Sequence, residues 1–152
     1  MSFVGNLLWL VFGGGLLYGF VWLLAGCFWC CTIIGIPIGI ACFRVASFAF
    51  LPFGKTLVPA EIVGEKAVVG SGLVNVLWCI FSGFWLSIAH AITGLLDCCT
   101  IIGIPFGLAH FKIAQAAFAP LGKRIVSTEM ARAAYVAAAQ AEVAAALGQM
   151  NK

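Results

Sequence analysis

Residues 30–55, CCTIIGIPIGIACFRVASFAFLPFGK, return as residues 98–123, CCTIIGIPFGLAHFKIAQAAFAPLGK. The offset is a constant 68 residues, and 17 of the 26 aligned positions are identical. Similarity at a fixed period marks a repeated structural unit, so the chain reads as a tandem duplication of one module followed by a tail. Each copy is centred on GIPxG. Proline removes a backbone donor and pushes the preceding residue out of helical geometry. Gly35, Pro37 and Gly39, repeated as Gly103, Pro105 and Gly107, are therefore read as the hinge between a long helix and a short one.

The surrounding composition places this unit in a membrane. Of 152 residues, 64% are hydrophobic and 9% charged, where soluble domains hold roughly 45–50% and about 25%. No charged side chain occurs from Met1 to Phe43 or from Ala67 to Leu96, and each window exceeds the roughly 20 apolar residues of a spanning helix. Leu24-Ala25-Gly26-Cys27 has the form of a lipoprotein cleavage box. However, no Lys or Arg precedes the apolar run and apolar sequence continues past Cys27, so the segment is expected to remain as a span. The net charge of +3 is small and its cations are scattered, which argues against a nucleic-acid partner.

The seven cysteines, Cys27, Cys30, Cys31, Cys42, Cys79, Cys98 and Cys99, include one CxxC and two adjacent pairs. No second CxxC or CxxH completes a tetrahedral set, and in apolar helices cysteine acts as a small hydrophobe. No metal and no cofactor are expected.

Outward from the hinges, residues 6–34 are expected to form one helix of about 29 residues, close to 43 Å at the α-helical rise. Gly13, Gly14, Gly15 and Gly19 offer it a flat face for another helix, and Trp9, Trp22 and Trp29 are candidates for interfacial belts. A short helix over 39–51 ends at Pro52-Phe53-Gly54-Lys55, and 55–70 is a polar loop. Residues 73–102, 103–107 and 107–119 repeat this order, and Gly122 to Val126 matches Gly54 to Val58 as a short β-prone exit. The expected fold class is an all-α membrane protein. Its parts are a first membrane hairpin over 1–59, a polar loop over 60–72, a second hairpin over 73–127 and a cytoplasmic helical tail over 128–152. In the tail, ten alanines between 128 and 147 favour helix. Ala133, Val136, Gln140, Val143, Leu147 and Met150 follow the spacing of a coiled-coil seam that Gln140 interrupts, read either as an oligomer contact or as an ordinary helix on the membrane or in solvent. A homo-oligomer is expected from the small-residue faces of the spans.

If each hairpin crosses twice, Lys55, Lys66, Lys123, Arg124, Arg132 and Lys152 share one side with both termini, which the positive-inside rule makes cytoplasmic. The short helices span only about 20 Å, so they extend past Pro52, sit in thinned bilayer or are re-entrant with the break buried in protein. A two-span arrangement with inverted repeats is the competing topology.

On the short helices Gly39, Cys42, Ala46 and Ala49, repeated as Gly107, His110, Ala114 and Ala117, form a face of mostly small residues. Opposite lie Arg44 and Ser47, repeated as Lys112 and Gln115. Cations at such positions either snorkel to phosphate headgroups, face water within an oligomer, or pair with Asp97, the one acid within an expected span. Ser87, His90, Thr93 and Asp97 make a polar stripe along the third helix, read either as interhelical hydrogen bonding or as a proton or ion path. No nucleophile, base and orienter set, P-loop or dinucleotide fingerprint is present, so an enzyme is not expected.

Asn6-Leu7-Leu8-Trp9 and Asn75-Val76-Leu77-Trp78, the two GIPxG hinges, Phe111-Lys112-Ile113-Ala114, and PxGK with the exit Val126-Ser127-Thr128-Glu129 resemble the bacterial YccF family of small inner-membrane proteins. The resemblance covers most of the chain. It implies a multi-pass inner-membrane protein and carries no catalytic or binding residues over. Together these readings point to a bilayer-embedded protein that self-associates into a pore or transport-like assembly, or else to a non-conducting scaffold for another protein.

Overall fold

The computed structural model describes residues 2–33, 35–65 and 71–150. The chain is mostly helical: α1 (Ser2–Phe12), α2 (Gly15–Cys30), α3 (Ile36–Phe50), β1 (Lys55–Pro59), α4 (Ser71–Trp78), α5 (Phe84–Cys98), α6 (Ile104–Phe118), β2 (Lys123–Ser127) and α7 (Thr128–Met150). A turn of 3₁₀-helix, Ala60–Val63, follows β1, and one π-helical turn, Cys79–Gly83, joins α4 to α5. Lys66 and Lys152, two of the cations expected on one side, lie outside the described residues.

The single first helix expected over 6–34 is broken. α1 and α2 meet at a 78° bend, because Gly14 adopts the left-handed φ of +72° that glycine reaches without strain. Gly13, Gly14 and Gly15 serve this bend, whereas Gly19 keeps the expected role, with the Phe50 ring of α3 packed where a Cβ would stand. A Cβ on Gly13 or Gly15 would stand 2.4 Å from the Trp9 indole, which lies over both. In the second half Trp78 lies over Gly83 in the same way, with its Nε1 2.3 Å from where a Cβ would be. Trp9 is six residues before Gly15, whereas Trp78 is five before Gly83. That one-residue difference falls where one half bends and the other keeps a continuous helix, Gly72–Cys98, through a π turn.

The hinges also sit differently from expectation. Pro37 and Pro105 lie in the first turn of α3 and α6, where proline's missing N–H is no loss, so the turn precedes GIPxG. Thr32 Oγ1 accepts from Gly35 N at 3.1 Å, and Thr100 Oγ1 accepts from Gly103 N at 3.0 Å. Gly39 and Gly107 exist for close approach, since a Cβ on either would meet the sulfur of Cys30 or Cys98 at 2.3 Å.

The repeated Asn and Trp of NxLW stop the short helices. Asn6 accepts from Phe53 N (2.9 Å) and donates to Phe53 O (3.2 Å), while Trp9 Nε1 donates to Ala49 O at 2.6 Å. Asn75 makes the same pair with Leu121 (3.1 and 3.0 Å), and Trp78 donates to Ala117 O at 2.6 Å. The last carbonyls of a helix lack intrahelical partners, and in both halves an indole supplies one. The belt assignment is therefore corrected: Trp9 and Trp22 are fully buried, and Trp29 is half-buried and donates to Ser82 Oγ at 3.2 Å.

The mostly helical fold carries one sheet, at the β-prone exits of the two copies. β1 and β2 pair antiparallel from Lys55↔Ser127 to Pro59↔Lys123, so the start of the expected 55–70 loop is a strand. The pairing joins segments 68 residues apart, which no local pattern reveals. At its centre Leu57 faces Ile125, and within the helices Trp22 meets His90. Each is a pair of residues at equivalent positions of the two halves, so an approximate two-fold axis passes through both contacts. As such an axis requires, α2 and α5 run antiparallel: Tyr18 bonds Thr93, Trp22 bonds His90 and Trp29 bonds Ser82. The hairpins lie head to tail, with Phe106 at the tip of the second 6.2 Å from Phe53 at the base of the first. The two hairpins thus run in opposite senses, the inverted arrangement of the competing topology. The buried contacts on the axis dictate that sense.

Candidate functional site

Two polar constellations result from this packing, one on the surface at the sheet and one inside. At the surface, α3 passes beside the sheet and brings Arg44 to Lys55 and Arg124. These cations, with Ser47, line a groove of about 360 Å³. A second groove of about 180 Å³ shares Arg44 and Arg124 and runs on to Pro37, Ile40, Leu121 and Gly122. Arg124 makes a two-pronged ion pair with Glu65. The Arg124 hydrogen bond holds the Glu65 carboxyl below its usual range, with the charge of Arg44 adding to the effect. Among the described residues Arg44 and Lys55 have no carboxylate partner. A concave surface with more cations than acids and apolar walls fits a phosphate-bearing headgroup.

Of the residues expected to face ions or headgroups, Arg44 and Ser47 are thus brought together, and Ser47 Oγ donates to Arg44 O at 2.9 Å. Lys112 and Gln115 are exposed but do not form a matching site. Lys123 Nζ donates to Gln115 O at 3.1 Å, and burial lowers the pKa of that amine. The hollow beside it is apolar, walled by Phe84, Ile88, Ala91 and Phe118. The pairing of Asp97 with a mid-helix cation does not occur, since Asp97 faces His110 instead, at 3.6 Å.

The faces of small residues are consumed within each hairpin. Gly39, Cys42, Ala46 and Ala49 are buried, as are Gly107, His110 and Ala117, with Ala114 half-buried. The polar stripe is likewise turned inward. Ser87 Oγ donates to Ala114 O at 3.0 Å, Tyr18 and Thr93 share a 2.6 Å hydroxyl contact, and Thr93 also donates to Ala89 O. His90 accepts from Trp22 Nε1 at 3.1 Å and meets His110 Nδ1 to Nδ1 at 2.9 Å. Both histidines are fully buried, and Asp97 at the end of the line is one-quarter exposed.

Sequence reasoning missed Trp22, His110, Lys55, Arg124 and Glu65 as members of these sites. His110 stood out as the one large polar side chain on a face of small ones. The others depend on contacts between the two halves. Among the described residues no cluster of three or more His, Cys, Asp or Glu has a metal-binding arrangement. All seven cysteines are free, and Cys30 and Cys98 pack on Gly39 and Gly107.

Comparison with known proteins fits this architecture. The YccF family model, described as an inner membrane component domain, matches twice, over residues 4–55 and 73–123. Inner membrane protein YccF of Escherichia coli K12 is 36% identical over 126 residues, covering 80% of this chain and 85% of that protein. The protein of the same name from Shigella flexneri matches to the same extent. No solved structure matches the chain. A family match across both halves, together with a relative that covers four-fifths of the chain, shows that this chain belongs to the YccF family of inner-membrane proteins.

Proposed function

We propose that the chain is a duplicated, non-enzymatic component of the bacterial inner membrane. It is seated in the bilayer by one apolar face and presents the sheet and its cationic groove to anionic headgroups on the cytoplasmic side. The position of the sheet carries this reading. An axis lying in the membrane plane would hold the two strands, each with one partner, and the surrounding charges at mid-bilayer. There, open sheet edges and unpaired cations are excluded. An axis along the membrane normal puts the sheet in the headgroup layer and lays α2 and α5 toward the hydrocarbon. Leu17, Leu24 and Phe28 of α2, and Trp85, Ile92 and Leu95 of α5, are exposed on that outer side. Both hairpins then lie along the bilayer plane without crossing it. Ser2 lies against Gly54, and Thr128 N donates to Gly54 O at 3.0 Å, so the chain start, the β1 entry and the tail gather at the sheet. The excess of cations there makes that side cytoplasmic.

A self-associating pore or transport-like assembly is the second reading, and a separate observation favours it: the α7 seam of Val136, Gln140, Val143 and Leu147 is exposed and available to another copy. Two measurements separate the readings. Cys31 and Cys99 are exposed at the two hairpin tips. Kept singly in otherwise cysteine-free variants, neither should react with an impermeant thiol reagent added from the periplasm, while Cys placed at Glu61 reacts only from the cytoplasm. Tips labelled from opposite sides, or both from the periplasm, overturn the seating. In liposomes the scaffold reading expects ion flux equal to that of empty vesicles. Sustained flux that Arg44→Ala or Lys112→Ala abolishes establishes the pore.

A further inference from the structure

The buried line Trp22, His90, His110, Asp97 has a direction that its hydrogen bonds impose. An indole N–H only donates, so His90 Nε2, 3.1 Å from Trp22 Nε1, must be the unprotonated acceptor. A neutral His90 then carries its proton on Nδ1 and donates it to His110 Nδ1 at 2.9 Å. His110 Nδ1 is in turn an acceptor, which leaves its proton on Nε2. That atom has no other partner among the described residues, and neither does Asp97 Oδ2, which it faces at 3.6 Å. An added proton on His90 Nε2 would set two donors against each other at Trp22, and one on His110 Nδ1 would do so at His90. Neither histidine can become a cation while the line is intact. Asp97 Oδ2, 3.6 Å from His110 Nε2, is an acceptor facing the end of the line where its free proton lies.

The elements packed around the line add no competing charge. α1 has no ionisable side chain. α2 offers Tyr18, whose ring lies 4.2 Å from His90 and 5.0 Å from His110 and whose hydroxyl is engaged with Thr93. On α3 and α6, Arg44 faces the groove at the sheet and Lys112 is exposed. His90, His110 and Asp97 stand where the first half has Trp22, Cys42 and Trp29. The line is therefore built once, across the axis.

We propose that Trp22, His90 and His110 form a one-way hydrogen-bond relay, set by the indole N–H, that keeps both histidines neutral and presents the His110 Nε2 proton to Asp97. Trp22 and His90 are positioning residues for His110, whose Nε2 has no hydrogen-bond partner among the described residues.

The test is nitrogen NMR of the full chain, labelled with ¹⁵N-histidine, in nanodiscs across the range from about pH 5 to 8 where free histidine titrates. His90 should remain neutral with its proton on Nδ1, and His110 neutral with its proton on Nε2. Neither state should change across this range, and Asp97→Asn should leave both tautomers in place because Trp22 sets the direction of the line. Trp22→Phe, if folded, should free His90 to carry its proton on either ring nitrogen. A doubly protonated histidine in the unaltered chain, or a proton on His110 Nδ1, overturns the proposal. Neither of these outcomes depends on any variant folding.

Discussion

Replacing Trp78 by phenylalanine removes one hydrogen bond and part of one ring from the centre of the protein. The indole is fully buried and donates to Ala117 O at 2.6 Å. That carbonyl belongs to the last turn of α6, where no helical N–H reaches it, because Leu121 N is already bonded to Asn75 Oδ1. Phenylalanine leaves the carbonyl buried and unpaired, at about 1–3 kcal/mol. The missing atoms loosen the contact with Trp22, whose ring is stacked 5.9 Å away, at about 1 kcal/mol more. The expected loss is about 2–4 kcal/mol. Trp9→Phe should cost the same, since its bond to Ala49 O is also 2.6 Å. Asn75→Ala, which gives up two bonds to Leu121, should cost about 1–3 kcal/mol. Because Asn75 and Trp78 hold the same turn, the double variant should lose less than the sum. Denaturant titration of the full chain in detergent micelles, followed by circular dichroism, reads these differences, with Trp85→Phe, exposed on the apolar side, as a neutral control. Losses below about 0.5 kcal/mol for both Trp9→Phe and Trp78→Phe would refute the assignment of the indoles as helix-end partners.

Three further outcomes follow from other contacts. Gly107→Ala places a methyl 2.3 Å from Cys98 Sγ and 2.5 Å from Gly94 O. Overpacking of about 1–3 kcal/mol then outweighs the roughly 1 kcal/mol gained in helix propensity, and the same titration should show a lower midpoint. Gly148→Ala in α7 meets nothing within 4 Å, so only the propensity gain of about 1 kcal/mol remains, read as greater protection of tail amides in hydrogen exchange. The Glu65 carboxyl is lowered by Arg124 from its ordinary value of 4.5. A depressed folded value means that the ion pair adds stability above pH 4.5 and that this contribution disappears as pH falls through the folded value. Glu65→Gln should therefore be less stable than the parent at neutral pH and equal to it in acid, and a difference that persists in acid would contradict the ion-pair account.

Much of this protein was legible from its residues alone. A continuous apolar composition, two copies of GIPxG at a fixed offset and an alanine-rich tail are local properties, and local properties determine which segments become helix and that they belong to a bilayer. The break at Gly13 to Gly15 was written as a glycine run, yet it read as a packing face because what closes over it, Trp9, is set by the helix that Trp9 caps. The pairing of the β-prone exits over Lys55 to Pro59 and Lys123 to Ser127, the antiparallel sense of α2 and α5, and the meeting of Trp22, His90, His110 and Asp97 came only with the tertiary structure. Each joins one half of the chain to the other. Repetition in sequence establishes that two units are alike but leaves open the operation relating them, because that operation is decided by which surfaces bury best against each other. Here the contacts of Trp22 with His90 and of Leu57 with Ile125 chose a two-fold axis.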